Sequence, residues 1–164
     1  MKTTDYIKMA LENGKGFTLA LIADMKDAPL TQPTPNGGNH PLWILGHLAR
    51  SESALLDGFI LGKPNRFPEL ENCNAGSTPT TNASDYPSMD ELLAKFETIR
   101  AASLAHLATL SEADLDEKSH APEKYGAFFG TVGACYAAMT SHMAMHAGQV
   151  ADARRAAGRE RLRI

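Results

Sequence analysis

Residues 40–62 read HPLWILGHLARSESALLDGFILG, and this stretch decides the fold. Asn39, just before it, is a side chain able to cap orphan amide groups, and Pro41 suits a first helical turn, where no amide partner is needed. Leu42, Leu45, Leu48, Ala49, Leu55, Leu56, Phe59 and Ile60 recur every three or four residues. That recurrence is the broad apolar face of one helix, ended by Gly62 and Pro64. His47 lies among these core-type neighbours. Beside it, Gly46 lacks a side chain and leaves room for a neighbouring helix to approach.

Upstream, residues 4 to about 26 place Tyr6, Met9, Ala10, Asn13, Phe17, Leu21 and Met25 at helical spacing. Gly14 and Gly16 weaken this helix, since a glycine costs up to ~1 kcal/mol against alanine in a helix interior. The segment APLTQPTPNGGNHP, residues 28–41, then breaks it as a loop. Downstream, residues 62–87 carry Pro64, Pro68, Pro79 and Pro87. This connection is far longer than the ~4–6 residues usual in a compact domain. It reads as a linker between domains or as a crossover between the two ends of a bundle. Too few helices flank it to make two domains, so the crossover is preferred, with the second and third helices parallel.

The third helix opens with Ser88-Met-Asp-Glu91, a capping box in which serine and glutamate satisfy each other's backbone donors. Leu92, Leu93, Phe96, Ile99, Ala102, Ala105 and Leu107 are expected on its core face. Residues 111–115 predict a short extra turn. HAPEKYGAFFG, residues 120–130, predicts a connection with buried aromatics. A fourth helix runs from about Thr131 to Ala157, with Gly158 as its C-cap. No strand pair and no internal repeat is present in the pattern. The expectation is an all-α chain: a four-helix bundle with a long crossover between helices 2 and 3, residues 1–164 forming a single domain.

Composition narrows the function. The chain has 164 residues, 43% of them hydrophobic, which excludes a wholly disordered polymer. Its 16 basic and 19 acidic residues leave a net charge of −3, which does not attract phosphate backbones. Arg154, Arg155, Arg159, Arg161 and Arg163 cluster at the end of the chain, but no aromatic residues interleave for base stacking. They read as cations complementing a helix C-terminus and solvating a tail. The N-terminal stretch carries charges throughout, unlike a signal peptide. No run approaches the ~20 apolar residues of a membrane span. A soluble, cytoplasmic protein with no nucleic-acid or membrane partner is expected. Cys73 and Cys135 cannot form a multi-bridge framework; Cys135 reads as core, and no flanking base or cation activates Cys73.

The histidines carry the chemistry. His142-Met-Ala-Met-His146 places two imidazoles one turn apart on one helical face, together with Cys135, Ala138, Met139, Met145, Gln149, Val150 and Ala153. Histidines four apart also occur with no ligand role, and the glutamate of a zinc-protease helix is missing, since Met143 follows His142. His47 changes the balance. Three histidines on inward stripes of two helices need partners once buried, and a shared ion supplies one. Three protein ligands with an open fourth position is the catalytic rather than the structural arrangement. His40 is two turns from His47, ~10 Å along the axis, so it caps the helix or lines a mouth. His106 and His120 are expected in solvent.

Trp43-Ile44-Leu45-Gly46-His47-Leu48-Ala49 together with His142-xxx-His146-Ala-Gly148-Gln149 resembles the DinB-like (DinB/YfiT-like) metalloenzymes. That family's histidine on the second helix and HxxxH pair on the last map onto His47, His142 and His146. The resemblance implies a four-helix bundle, a divalent metal and a homodimer. In a few subfamilies it also implies transferase or isomerase chemistry with a low-molecular-weight thiol. Imidazole donors suit several metals; Zn or Ni leads, with Fe or Mn as further candidates. Met139, Met143 and Met145 would offer such a substrate an adaptable wall. The alternatives are a non-catalytic metal-binding stress-response protein and a metal-dependent hydrolase. No carboxylate base on the ligand face favours the hydrolase.

Overall fold

The computed structural model describes residues 1–31 and 37–162. Pro33 and Pro35 of the helix-breaking segment and Arg163 of the arginine cluster lie outside the described residues. Four long helices dominate: α1 (Thr3–Ala23), α2 (Pro41–Ser53), α3 (Met89–Leu107) and α5 (Val132–Ala156), with a single-turn α4 (Gly126–Phe129) before the last. Among the described residues there is no strand, only an isolated bridge between Lys118 and Thr131. The fold is therefore all-helical. α1 packs along α5, α2 along α3, and α2 also meets α5.

Several boundaries follow the expected chemistry. Ser88 and Glu91 form the reciprocal capping box of α3. The Thr131 hydroxyl accepts from the Ala134 amide at 3.1 Å to start α5. Gly158, with φ of +73°, turns the chain just beyond its end. The cap of α2 is a correction. His40, not Asn39, occupies it, its Nδ1 accepting from the Trp43 amide at 3.2 Å. Asn39 turns toward α5 and donates to Gln149 at 3.1 Å. Residues 54–60 are not α-helical either. They widen into a π-turn, with the Leu61 amide bonded to the Leu56 carbonyl, and Gly62 at φ +64° closes it.

At Leu21, and at Met25 just beyond α1, the buried face is the expected one; earlier in α1 it lies one residue around. Ile7, Leu11, Thr18, Leu21 and Ile22 are buried, whereas Tyr6, Met9 and Phe17 are 56%, 42% and 49% exposed. Both stripes are apolar, so periodicity alone does not choose between them; packing on α5 does. Ala105 on α3 and Met145 on α5 are likewise exposed. Residues 62–87 are not a bare connection. Short 3-10 turns at Pro68–Cys73 and Ala83–Asp85 lay Phe67, Leu70, Cys73 and Tyr86 into the core. The aromatics of 120–130 are the reverse of the expectation. Tyr125 and Phe128 are exposed and Phe129 is half-buried.

One polar cluster inside the core has no periodic signature. Arg100 of α3, 1% exposed, grips Glu52 of α2 through Nε at 2.9 Å and Nη2 at 2.7 Å. Its Nη1 donates to the Leu11 carbonyl of α1 at 2.6 Å, and Nη2 also reaches the Met143 sulfur of α5 at 3.4 Å. One guanidinium thus touches all four long helices. At the chain's end, Arg154 is buried against Asp24 at 2.6 Å, Arg159 pairs with Asp27, and Arg155 pairs with Asp152.

Candidate metal centre

α2 and α5 bring His47, His142 and His146 together. The three offer one ring nitrogen each, all within 4.8 Å of one another. The Nε2 atoms of His47 and His142 are 3.1 Å apart, and those of His142 and His146 are 2.9 Å apart. Two imidazoles bound to a tetrahedral ion at ~2.0–2.1 Å would hold their nitrogens ~3.3 Å apart. The spacing on α5 follows from the four-residue separation on one helix face. Gly46, beside His47, sets how closely the 68–73 turn, with α3 behind it, approaches α2. A Cβ there would lie 2.5 Å from the Cys73 sulfur and 3.4 Å from Leu92, so only glycine lets this segment close on α2. The close neighbour is therefore chiefly the 68–73 turn, with α3 behind it.

The far sides of the His47 and His146 rings show which of their nitrogens carry protons. His47 Nδ1 faces the Cys73 carbonyl at 2.8 Å, so it is the N–H donor. His146 Nδ1 lies 2.8 Å from Gln149 Oε1, which also accepts from Asn39. With both Nδ1 atoms protonated, the Nε2 atoms of His47 and His146 present bare lone pairs to the centre. His142 can donate to only one of them, and Ser51 Oγ stands 3.4 Å from His47 Nε2. An arrangement of facing acceptors is satisfied by a cation, and outer partners of this kind orient imidazole ligands. The Trp43 ring stacks on His47, with centroids 4.5 Å apart and planes at 12°, and limits its rotation.

Electrostatics keep the rings neutral. Burial, reinforced by the neighbouring imidazoles, pushes His142 down to about 3. Burial and His47 push His146 down to about 4, and burial lowers His47. Neutral imidazole is the form that binds metal.

A cavity of about 1040 Å³ opens beside the cluster, bordered by His47 and His142. Leu55, Phe59, Phe128, Phe129, Ala134 and Ala138 form much of its wall. The remaining histidines stay apart. His40 is buried and tied to the Thr80 carbonyl at 2.9 Å. His120 is exposed beside Gly62. His106 corrects the expectation of a solvated ring: it is half-buried, with Nδ1 2.9 Å from the Tyr136 hydroxyl. Cys73 and Cys135 are fully buried, and burial pushes both thiols up to about 11, so neither is a ready nucleophile. Met139 and Met143 are core, while Met145 reaches the cavity. The sequence pattern did not reveal the Cys73 carbonyl or Asn39 as supports of the cluster. Gln149 was visible, three residues after His146 on the same face.

Comparison with known proteins agrees with this architecture. A model of the DinB superfamily matches residues 10–150, and the chain belongs to that superfamily. A conserved protein of Enterococcus faecalis, known from its crystal structure, has a similar fold. The TM-score is 0.74 at 18% identity, covering 96% of this chain and 98% of the other. The comparison with curated proteins gave no match. No helix among the described residues is long and apolar enough to cross a membrane.

Proposed function

We propose that His47, His142 and His146 hold one divalent ion, Zn or Ni before Fe or Mn, within a four-helix bundle crossed over by residues 62–87. With that ion, the protein acts as a metal-dependent transferase or isomerase on a small thiol. The observation that carries it is the convergence of three Nε2 atoms, with the His47 and His146 rings fixed from behind by the Cys73 carbonyl and Gln149. A divalent ion at an imidazole site lowers the pKa of a bound thiol, supplying thiolate at neutral pH. The chain's part is to hold the rings neutral and aimed, and to shelter an electrophile against Phe59, Phe128 and Phe129. Transfer forms a bond from thiolate sulfur to the electrophilic carbon; the leaving group departs with the bonding pair, and the thiol proton passes to solvent.

The non-catalytic alternative needs a closed, dry position beside the ligands. The cavity at His47 and His142 favours access instead. The test is metal stoichiometry on protein made without an affinity tag, followed by a thiol screen. Wild type should bind one equivalent per chain, and His142→Ala should bind at least a hundred-fold more weakly. One equivalent retained with unchanged affinity in a His47→Ala, His142→Ala double variant would place the site elsewhere.

A further inference from the structure

The walls of the cavity are electrostatically one-sided. The chain carries 19 acidic residues, yet among the described residues no Asp or Glu borders this space. Its one cation among the described residues is Arg50, three residues after His47 on α2 and so on the same face of the helix. The hydrogen bonds of its guanidinium run from Nη1 alone, to the carbonyls of Phe67 at 2.8 Å and Pro68 at 3.4 Å. Nη1 is thereby anchored, while Nε and Nη2 have no acceptor among the described residues. Glu69, whose carboxylate feels the Arg50 charge, forms its ion pair with Lys95 at 2.5 Å instead. A planar guanidinium held by one nitrogen and free at two others matches a carboxylate edge. Another part of the same wall is aromatic. Phe128 is 75% exposed, an unusual position for a phenylalanine with nothing to cover, and it lines the cavity with Phe59 and Phe129.

From this juxtaposition we propose that the cavity receives an amphipathic carboxylate. Its acid group sits on Arg50, and its aromatic or branched-alkyl body lies against Phe59, Phe128 and Phe129. This names the substrate class of the electrophile in the reading above and rests on that reading. Arg50 acts as the specificity residue, and the phenylalanines set the apolar length.

The test uses 4-phenylbutanoate and its neutral isostere 4-phenylbutanamide. Each is titrated calorimetrically into chelator-treated and into cobalt(II)-loaded full-length protein. In the metal-free wild type the acid should bind ten-fold or more tightly than the amide. Arg50→Gln should erase that ratio. Phe128→Ala should weaken both ligands several-fold and keep the ratio, because its ring is exposed and meets only the apolar body. The Arg50 Nε–H resonance of the wild type should shift with the acid and not with the amide, a readout that does not depend on how the variant folds. Equal affinities in the wild type, a ratio that survives Arg50→Gln, or an Arg50 resonance indifferent to the acid would each overturn the proposal. If discrimination appears only with cobalt and survives Arg50→Gln, the carboxylate sits on the ion: the metal reading then stands and this inference fails. If cobalt does not bind but the metal-free ratio depends on Arg50, the inference survives and the metal reading fails.

Discussion

Two polar clusters share α2, where Glu52 follows His47 by five residues, and they are built on opposite principles. Around Arg100 and Glu52, every strong donor has an acceptor, the charges cancel, and the pair is sealed at 1% and 5% exposure. Around His47, His142 and His146, the Nε2 lone pairs of His47 and His146 compete for the one proton that His142 Nε2 can offer, the rings are neutral, and a cavity reaches the edge of the group. The first cluster is complete in itself and ties four helices together. In the second, His47 and His146 are supported from behind, and the facing Nε2 atoms hold more acceptors than donors. A self-satisfied polar group in a core serves architecture, whereas an oriented group lacking its last partner is a receptor.

That contrast can be broken most forcefully at Arg100. Arg100→Met should lower unfolding free energy by about 3–5 kcal/mol, since it strands a buried carboxylate. Replacing both partners, as in Arg100→Met with Glu52→Leu, should recover much of the loss. Urea unfolding measures both. A single variant as stable as wild type would mean that the cluster does not tie the helices.

Acid should sharpen the comparison from the side of the histidines. Their folded pKa values lie below the ordinary value of about 6.5, at about 3 for His142 and about 4 for His146. Below pH 6.5 the unfolded chain therefore takes up protons that the folded chain refuses. Stability contributed by these rings is fully present above about 6.5 and is lost as pH falls toward 4 and 3. Each such ring contributes a slope of up to about 1.4 kcal/mol per pH unit. Denaturant midpoints of metal-free protein between pH 7 and 5 should fall, and His142→Ala should flatten the fall. A curve unchanged by that substitution would show that the rings are not held neutral. In the loaded protein, proton competition inside the fold starts well below 6.5, so metal should be retained to lower pH than an unperturbed histidine would allow.

The smallest effects belong to His106 and His120, two of the three remaining histidines, which differ in burial. His106→Ala should cost about 1 kcal/mol through its lost bond to Tyr136. His120→Ala should stay within about 0.5 kcal/mol. Neither should alter metal affinity, and equal costs for the two would erase the distinction drawn from burial.

Much of this was legible in residue order. His47, His142 and His146 announced themselves because helical spacing put each on an apolar stripe, and Ser88 with Glu91 marked the start of α3. Arg100 and Glu52 did not, because a charged residue on a helix reads as solvated until its partner on another helix is known. α1 carries two apolar stripes, and the choice of Ile7 and Leu11 over Tyr6 and Met9 is made by α5. Residues 62–87 bury Phe67, Leu70, Cys73 and Tyr86 with no regular period, so the carbonyl behind His47 left no trace in the pattern.

The widened turn at Ala54–Ile60 has a consequence for motion. Bonds of the i→i+5 kind are rare and usually occur as single turns near functional sites. Leu55 and Phe59, both on the cavity wall, ride on this turn, while His47 rides on the regular α-helix before it. Local opening starts where backbone hydrogen bonding is least favourable. Amide hydrogens of the turn should therefore exchange with solvent faster than those of residues 44–53. The cavity would breathe on its Phe59 side against a wall that keeps still.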